Sequence, residues 1–222
     1  MNKFYFEFKS VVGVNGSAHP NGQFRLAAAV VDQLHFENVR RKVEGLPRLA
    51  VAFPALASGD RDIMAVVRVF GPDSQSLEMF KTRATEGLGL EGNRAVAVSD
   101  VAYVPEKHQL AVFVRDRMAD KETVGFAQRS LARAQRKVVS RIERGEVVKQ
   151  SPMEMADRAG AAALHRESAV ALARAYLCMD SRSTRQSFSL VVAAYPANDA
   201  SKGEVDIYGL SRRTTPFSVP HF

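Results

Sequence analysis

Phe4-Tyr5-Phe6-Glu7-Phe8 begins the stretch that decides the fold, and its alternation is the period-two signal of a half-buried strand. A turn-rich run from Gly16 to Asn21 follows. Beyond it Phe24, Ala27, Ala28, Val31 and Leu34 recur at helical spacing, which predicts a helix from about Gln23 to Lys42. Leu49 to Phe53 and Ile63 to Phe70 are short β-prone runs separated by Gly59 and Asp60, so they read as a hairpin pair. Asp73 to Gly87 reads as a second helix with Leu77, Phe80 and Ala84 on one side, and Ala95 to Val104 as a closing strand. Strand, helix, strand, strand, helix, strand is the order of a ferredoxin-like unit, a fold that hosts many RNA-binding domains and many that bind none.

Outward from this unit the chain changes character. The 222 residues carry 31 Lys and Arg against 24 Asp and Glu, a net charge of +7 that favours a polyanionic partner. Between Lys121 and Gln150 lie eight basic and three acidic residues, so +5 of that charge falls in one segment. From Phe126 to Arg144 neither Gly nor Pro intervenes. At about 100° per residue, Arg129, Arg133, Arg136, Ser140 and Arg144 share an arc of roughly 80°. Ala127, Leu131, Val138 and Ile142 gather opposite, so one face is expected to pack and the other to meet phosphates. With Lys137 as the single exception, the basic residues from Arg129 to Arg144 are arginines, whose planar guanidinium suits bidentate phosphate contact. A merely solvated amphipathic helix would carry the same pattern.

Further on, Tyr176 to Asp180 and Phe188 to Tyr195 read as strands flanking Ser181-Arg182-Ser183-Thr184-Arg185-Gln186. Hydroxyls, guanidiniums and an amide at one turn can hold phosphates and ribose hydroxyls, although an ordinary polar hairpin loop looks alike. The single Cys178 has no internal disulfide partner. No apolar run approaches the ~20 residues of a membrane span, and the first residues lack the features of a secretory signal, so the expected location is cytoplasmic. The five histidines show no metal-type spacing. Asp60 and Asp62, the closest acidic pair of the first half, read as solvated.

Three stretches in order along the chain carry a family resemblance. Leu34-His35 is followed by Val51-Ala52-Phe53-Pro54-Ala55-Leu56; then comes Ser181 to Phe188 as Ser-x-Ser-Thr-x-Gln-x-Phe; last come Tyr208-Gly209-Leu210-Ser211 and Val219-Pro220-His221-Phe222. Together they resemble the repeat-processing endoribonucleases of subtype I-F CRISPR systems. The resemblance implies an α+β chain: a ferredoxin-like domain over residues 1–106 carrying a catalytic histidine, then an RNA-binding domain over 107–222 with the arginine-rich helix and a small antiparallel sheet. It also implies cleavage of the hairpin of CRISPR repeat RNA at its 3′ base, without metal or other cofactor, leaving a 2′,3′-cyclic phosphate. A type I surveillance complex is then the expected partner, and no membrane is.

By the same resemblance His35 is the general base, Ser181 holds the ribose 2′-hydroxyl and Tyr208 orients the imidazole through its phenol. Ser183 and Thr184 lie at the backbone near the cut, Phe188 stacks on the last base pair, and Gln186, Lys137 and Ser140 join the arginines at the RNA. The family's Ser-Arg-x-Gln segment becomes Val114-Arg115-Asp116-Arg117 here, with arginine where glutamine is expected, and base reading falls to Arg115 and Arg117. The stretch from Gly145 to Arg174 is longer than the family's usual connection, and Ala161-Ala162-Ala163-Leu164 suggests a helix within it. A hairpin-binding subunit without turnover is the alternative reading.

Overall fold

The computed structural model describes residues 3–11, 20–59, 64–116, 124–145, 173–180, 187–200, 203–212 and 214–222. Strand β1 (Phe4–Ser10) buries Phe6 and Phe8 completely and leaves Tyr5 and Glu7 half-buried, as its alternation predicts, whereas Phe4 at the strand's start is half-buried too. It lies inside a five-stranded sheet of order β2-β3-β1-β4, with β5 also on β1, formed with β2 (Ala50–Ala52), β3 (Val66–Gly71), β4 (Val96–Val98) and β5 (Ala102–Tyr103). Every pairing is antiparallel. Helices α1 (Pro20–Val43) and α3 (Ser74–Gly87) pack on β1 and β3 and on each other. Asp73 caps α3 by accepting the Ser76 N–H at 2.7 Å.

Two details differ from the sequence expectation. Strands β2 and β3 do pair, yet their connection holds a short helix, α2 (Pro54–Ser58), where a plain hairpin is expected. Pro54 lacks an N–H and has a fixed φ, which suits a first helical turn, and Gly59 ends the helix at φ 70°. The expected strand from Ala95 to Val104 is broken into β4 and β5. Between them the Ser99 hydroxyl takes the Glu7 N–H at 2.9 Å, and the pairing slips by one residue from Phe8↔Val98 to Tyr5↔Ala102.

A second antiparallel sheet has the order β7-β8-β6-β9, from β6 (Gln109–Arg115), β7 (Ala173–Asp180), β8 (Ser187–Ala197) and β9 (Val219–His221). Helix α1 also packs against β7, and α2 against β7 and β8, so a helical layer touches both sheets. One apolar cluster runs through both, from Phe6, Leu34 and Phe53 to Phe113, Leu177 and Leu190, with the Phe53 and Phe113 rings 6.0 Å apart. The protein is thus α+β, built on two antiparallel sheets.

The chain divides into two compact units, Met1–Arg115 with Ala171–Phe222, and Asp116–Val170. Of the second, Asp116 and residues 124–145 are described. They contain α4 (Val124–Glu143), on which Arg133, Arg136, Lys137, Ser140 and Arg141 are exposed, as is Arg144 just beyond it. Arg129 lies on α4, but its side chain is outside the described residues. On the apolar side Val138 is half-buried and Ile142 is 61% exposed. The expected packing of that face is therefore not seen at Ile142. The helix suggested near Ala161 falls outside the described residues, as do Asp60 and Asp62.

Candidate active site

Position 35 is set by what surrounds it on α1. Val31 and Leu34 are fully buried, which fixes the rotation of the helix. Three residues past His35, the buried Asn38 amide grips the backbone of Leu49, donating to its carbonyl at 2.9 Å and accepting its N–H at 2.8 Å. That pair satisfies strand-edge groups that β2 leaves open and ties the helix to the entry of the strand. Nearby, the buried Glu37 carboxylate meets Arg40 at 2.6 Å, Arg83 at 3.2 Å and Arg41 at 3.7 Å. His35 is left half-buried at the end of this braced segment.

The His35 ring stacks on Tyr208, with centroids 4.7 Å apart and planes 19° from parallel. Phe36 meets the same imidazole edge-on at 5.3 Å. Tyr208 reaches this position because of the turn that bears it. One Asp206 carboxylate oxygen accepts the N–H of Tyr208 at 2.8 Å and that of Leu210 at 3.1 Å, while the Asp206 N–H donates to the Leu210 carbonyl at 2.7 Å. Gly209 then takes φ 76°, and its carbonyl accepts the Val51 N–H at 2.9 Å. A Cβ there would lie 2.6 Å from Leu34 Cδ2 and 3.0 Å from the Leu49 carbonyl, so the close approach needs glycine on both counts. The Leu34-His35 segment, the Val51 strand and the Tyr208-Gly209 turn, far apart in the chain, thus meet at one point.

Burial pushes the His35 imidazole below its ordinary value, against the charges of Asp32 and Asp206 and a hydrogen bond with the backbone of Ile207. Its Nδ1 is shielded from solvent and has no hydrogen-bond partner among the described residues. Burial thus favours the neutral ring. Asp206 is pushed up by its own burial and held back by the Leu210 and Tyr208 N–H groups and by Arg115 and Arg212. The Arg115 guanidinium lies 5.7 Å from the centre of the Tyr208 ring.

Of the residues singled out from sequence, His35, Tyr208 and Arg115 are therefore brought together. Phe188, half-buried, packs against the core from the start of β8. Ser181, Ser183, Thr184 and Gln186 lie outside the described residues, as does Arg117. The strands bracketing the serine loop are paired up to Asp180↔Ser187, where the Ser187 hydroxyl donates to Asp180 at 2.6 Å. Asp206 and Asn38 lie outside the motifs that carry the resemblance. An aspartate two residues before Tyr208-Gly209 is an Asx-turn signal and was readable as such; the reach of Asn38 to Leu49 was not.

Among the described residues, no group of three or more His, Cys, Asp or Glu could hold a metal ion. Among them, too, no helix is long and apolar enough to cross a membrane. Residues 18–222 match the model of the family described as CRISPR-associated protein (Cas_Csy4), and the chain belongs to that family. The family consists of endoribonucleases that cleave the repeat hairpins of CRISPR precursor RNA and stay bound within the surveillance complex. No individually curated protein matches the chain.

Proposed function

We propose that His35 is the general base of a cleavage at the 3′ base of the repeat hairpin, and that Tyr208 orients it by stacking. The imidazole takes the proton of the 2′-hydroxyl. The 2′-oxygen then bonds to the adjacent phosphorus as the bond to the 5′-oxygen breaks, and that oxygen leaves with a proton. The products are a 2′,3′-cyclic phosphate and a 5′-hydroxyl, and the reaction uses no metal. Ser181 aligns the 2′-hydroxyl, Ser183 and Thr184 hold the backbone beside the cut, and Gln186 also contacts the RNA. Phe188 stacks on the closing base pair, a contact worth roughly 1–3 kcal/mol where aromatics meet single-stranded bases.

Binding falls to Arg129, Arg133, Arg136, Lys137, Ser140 and Arg144 on one face, with Arg115 and Arg117 reading bases. In this reading residues 1–106 form a ferredoxin-like domain that carries the base, supported by the strand order β2-β3-β1-β4, and residues 107–222 form the RNA-binding part. The product stays with other subunits of a type I complex in the cytoplasm. The observation that carries the proposal is the contact of His35 with Tyr208 at 4.7 Å, between residues matched to separate motifs.

The test is labelled repeat RNA incubated with the purified chain in EDTA. Cleavage is expected there, and a hairpin with 2′-deoxyribose at the cut site should bind and stay intact. Activity that returns only when a divalent ion is added would refute the mechanism.

A further inference from the structure

A turn that carries a stacking partner has to be held in place itself, and here the holding group is ionisable. Asp206 uses one carboxylate oxygen to collect the N–H groups of Tyr208 and Leu210 at 2.8 and 3.1 Å. Its own backbone closes the same turn from both sides, through the Leu210 carbonyl at 2.7 Å and the Gly209 N–H at 3.1 Å. Tyr208, Gly209 and Leu210 are thus all tied to Asp206. Arg48 adds a clamp just upstream, donating to the Val205 carbonyl at 2.7 Å. An alanine at 206 would leave the two N–H groups without their acceptor, while asparagine would keep an acceptor oxygen and lose only the charge.

We propose that Asp206 is a positioning residue for cleavage: it clamps the turn that lays Tyr208 flat on His35 and sets a negative charge toward the imidazole. The inference rests on the reading of His35 as the base. Charge and geometry act separately. The clamp fixes the ring that orients the base, and the carboxylate steadies the imidazolium that forms when the base takes its proton. Among the described residues, the charges acting on the imidazole are those of Asp32, on the same helix, and Asp206. Asp206 in turn faces Arg115 from β6 and Arg212 from the following segment. Among the described residues, Phe36 and Tyr208 also lie against the imidazole.

The experiment is single-turnover cleavage of labelled repeat hairpin by the full chain between about pH 5 and 8, for the parent, Asp206→Ala, Asp206→Asn and His35→Ala. Asp206→Ala should cut more slowly by roughly 10²-fold, the scale of a misplaced catalytic group, with hairpin affinity unchanged. Asp206→Asn should recover most of the plateau rate, and the midpoint of its pH profile should move to lower pH, because the charge that favours the protonated imidazole is gone. A purely structural role for Asp206 would not move that midpoint. An Asp206→Ala variant that cuts at the parental rate, or an Asp206→Asn profile that coincides with the parent's, overturns the proposal. Should Asp206→Ala fail to fold, the Asp206→Asn midpoint decides. His35→Ala separates the two readings: if it cuts normally, the base assignment fails, whereas if it is inactive while both Asp206 variants match the parent, Asp206 alone is refuted.

Discussion

Replacing Gly209 by alanine tests whether the site depends on the close approach of three chain segments. The substitution adds a Cβ at φ 76°, a region that costs an L side chain about 1–2 kcal/mol. The new carbon would also lie 2.6 Å from Cδ2 of the fully buried Leu34 and 3.0 Å from the Leu49 carbonyl oxygen. Overpacking of that kind adds typically about 1–3 kcal/mol. The total is roughly 2–5 kcal/mol, and for a chain of this size that lowers Tm by on the order of 10 °C. Gly45→Ala is the control, since its φ of 70° carries the same backbone strain with nothing within 4 Å of the added carbon. Thermal unfolding of parent and both variants reads the packing cost as the difference between them. Single-turnover cleavage should fall further in Gly209→Ala than in Gly45→Ala, because relief of the clash displaces Tyr208 or Leu34, the neighbours of His35. Equal Tm values for the two variants, with parental cleavage in Gly209→Ala, would refute the reasoning.

Substitution of His35 by alanine should reduce cleavage by about 10²–10⁴-fold while hairpin affinity, measured by gel shift, stays near the parental value. In the parent the rate should rise with pH as the imidazole loses its proton, with a midpoint below the ordinary 6.5, since burial favours the neutral ring; a midpoint above it would contradict this environment. Changing Arg133 and Arg136 to alanine should flatten the salt dependence of binding, each lost phosphate contact lowering the log–log slope by roughly 0.7–0.9, and an unchanged slope would mean that the face is only solvated. Glu37→Gln addresses stability. Hydrogen bonding and charge from Arg40, with Arg83 and Arg41, hold the Glu37 carboxyl below its ordinary range despite burial. The stabilisation is therefore present above the unfolded value and is lost as pH falls through the lower, folded one. Glu37→Gln should cost roughly 1–3 kcal/mol at pH 7 in a denaturant melt and show a weaker loss of stability in acid than the parent.

Periodicity located most of the elements. Alternation marked β1, helical spacing marked α1, α3 and α4, and the order of elements pointed to an α+β chain. It failed where a single group outside the period took over. Pro54 and Gly59 start and stop a helix inside an expected hairpin, and the Ser99 hydroxyl breaks an expected strand by supplying a partner that the backbone would otherwise provide. Those are choices of hydrogen-bond partner, and a hydrophobic pattern does not encode them.

The site divides the same way. His35 and Tyr208 stand out in the sequence by the motifs around them, and the excess of arginine between residues 129 and 144 is plain from counting. Residue types and local spacing determined that much, because chemistry and periodicity are properties of neighbours in the chain. That His35 faces Tyr208 at 4.7 Å, that the Gly209 turn docks on Leu34 and Val51, and that Asp206 clamps the turn are set by contacts between segments far apart in sequence. Only the packing of α1 and β2 against the last turn of the chain decides them, since the burial that lowers the imidazole's proton affinity does not exist until those segments meet.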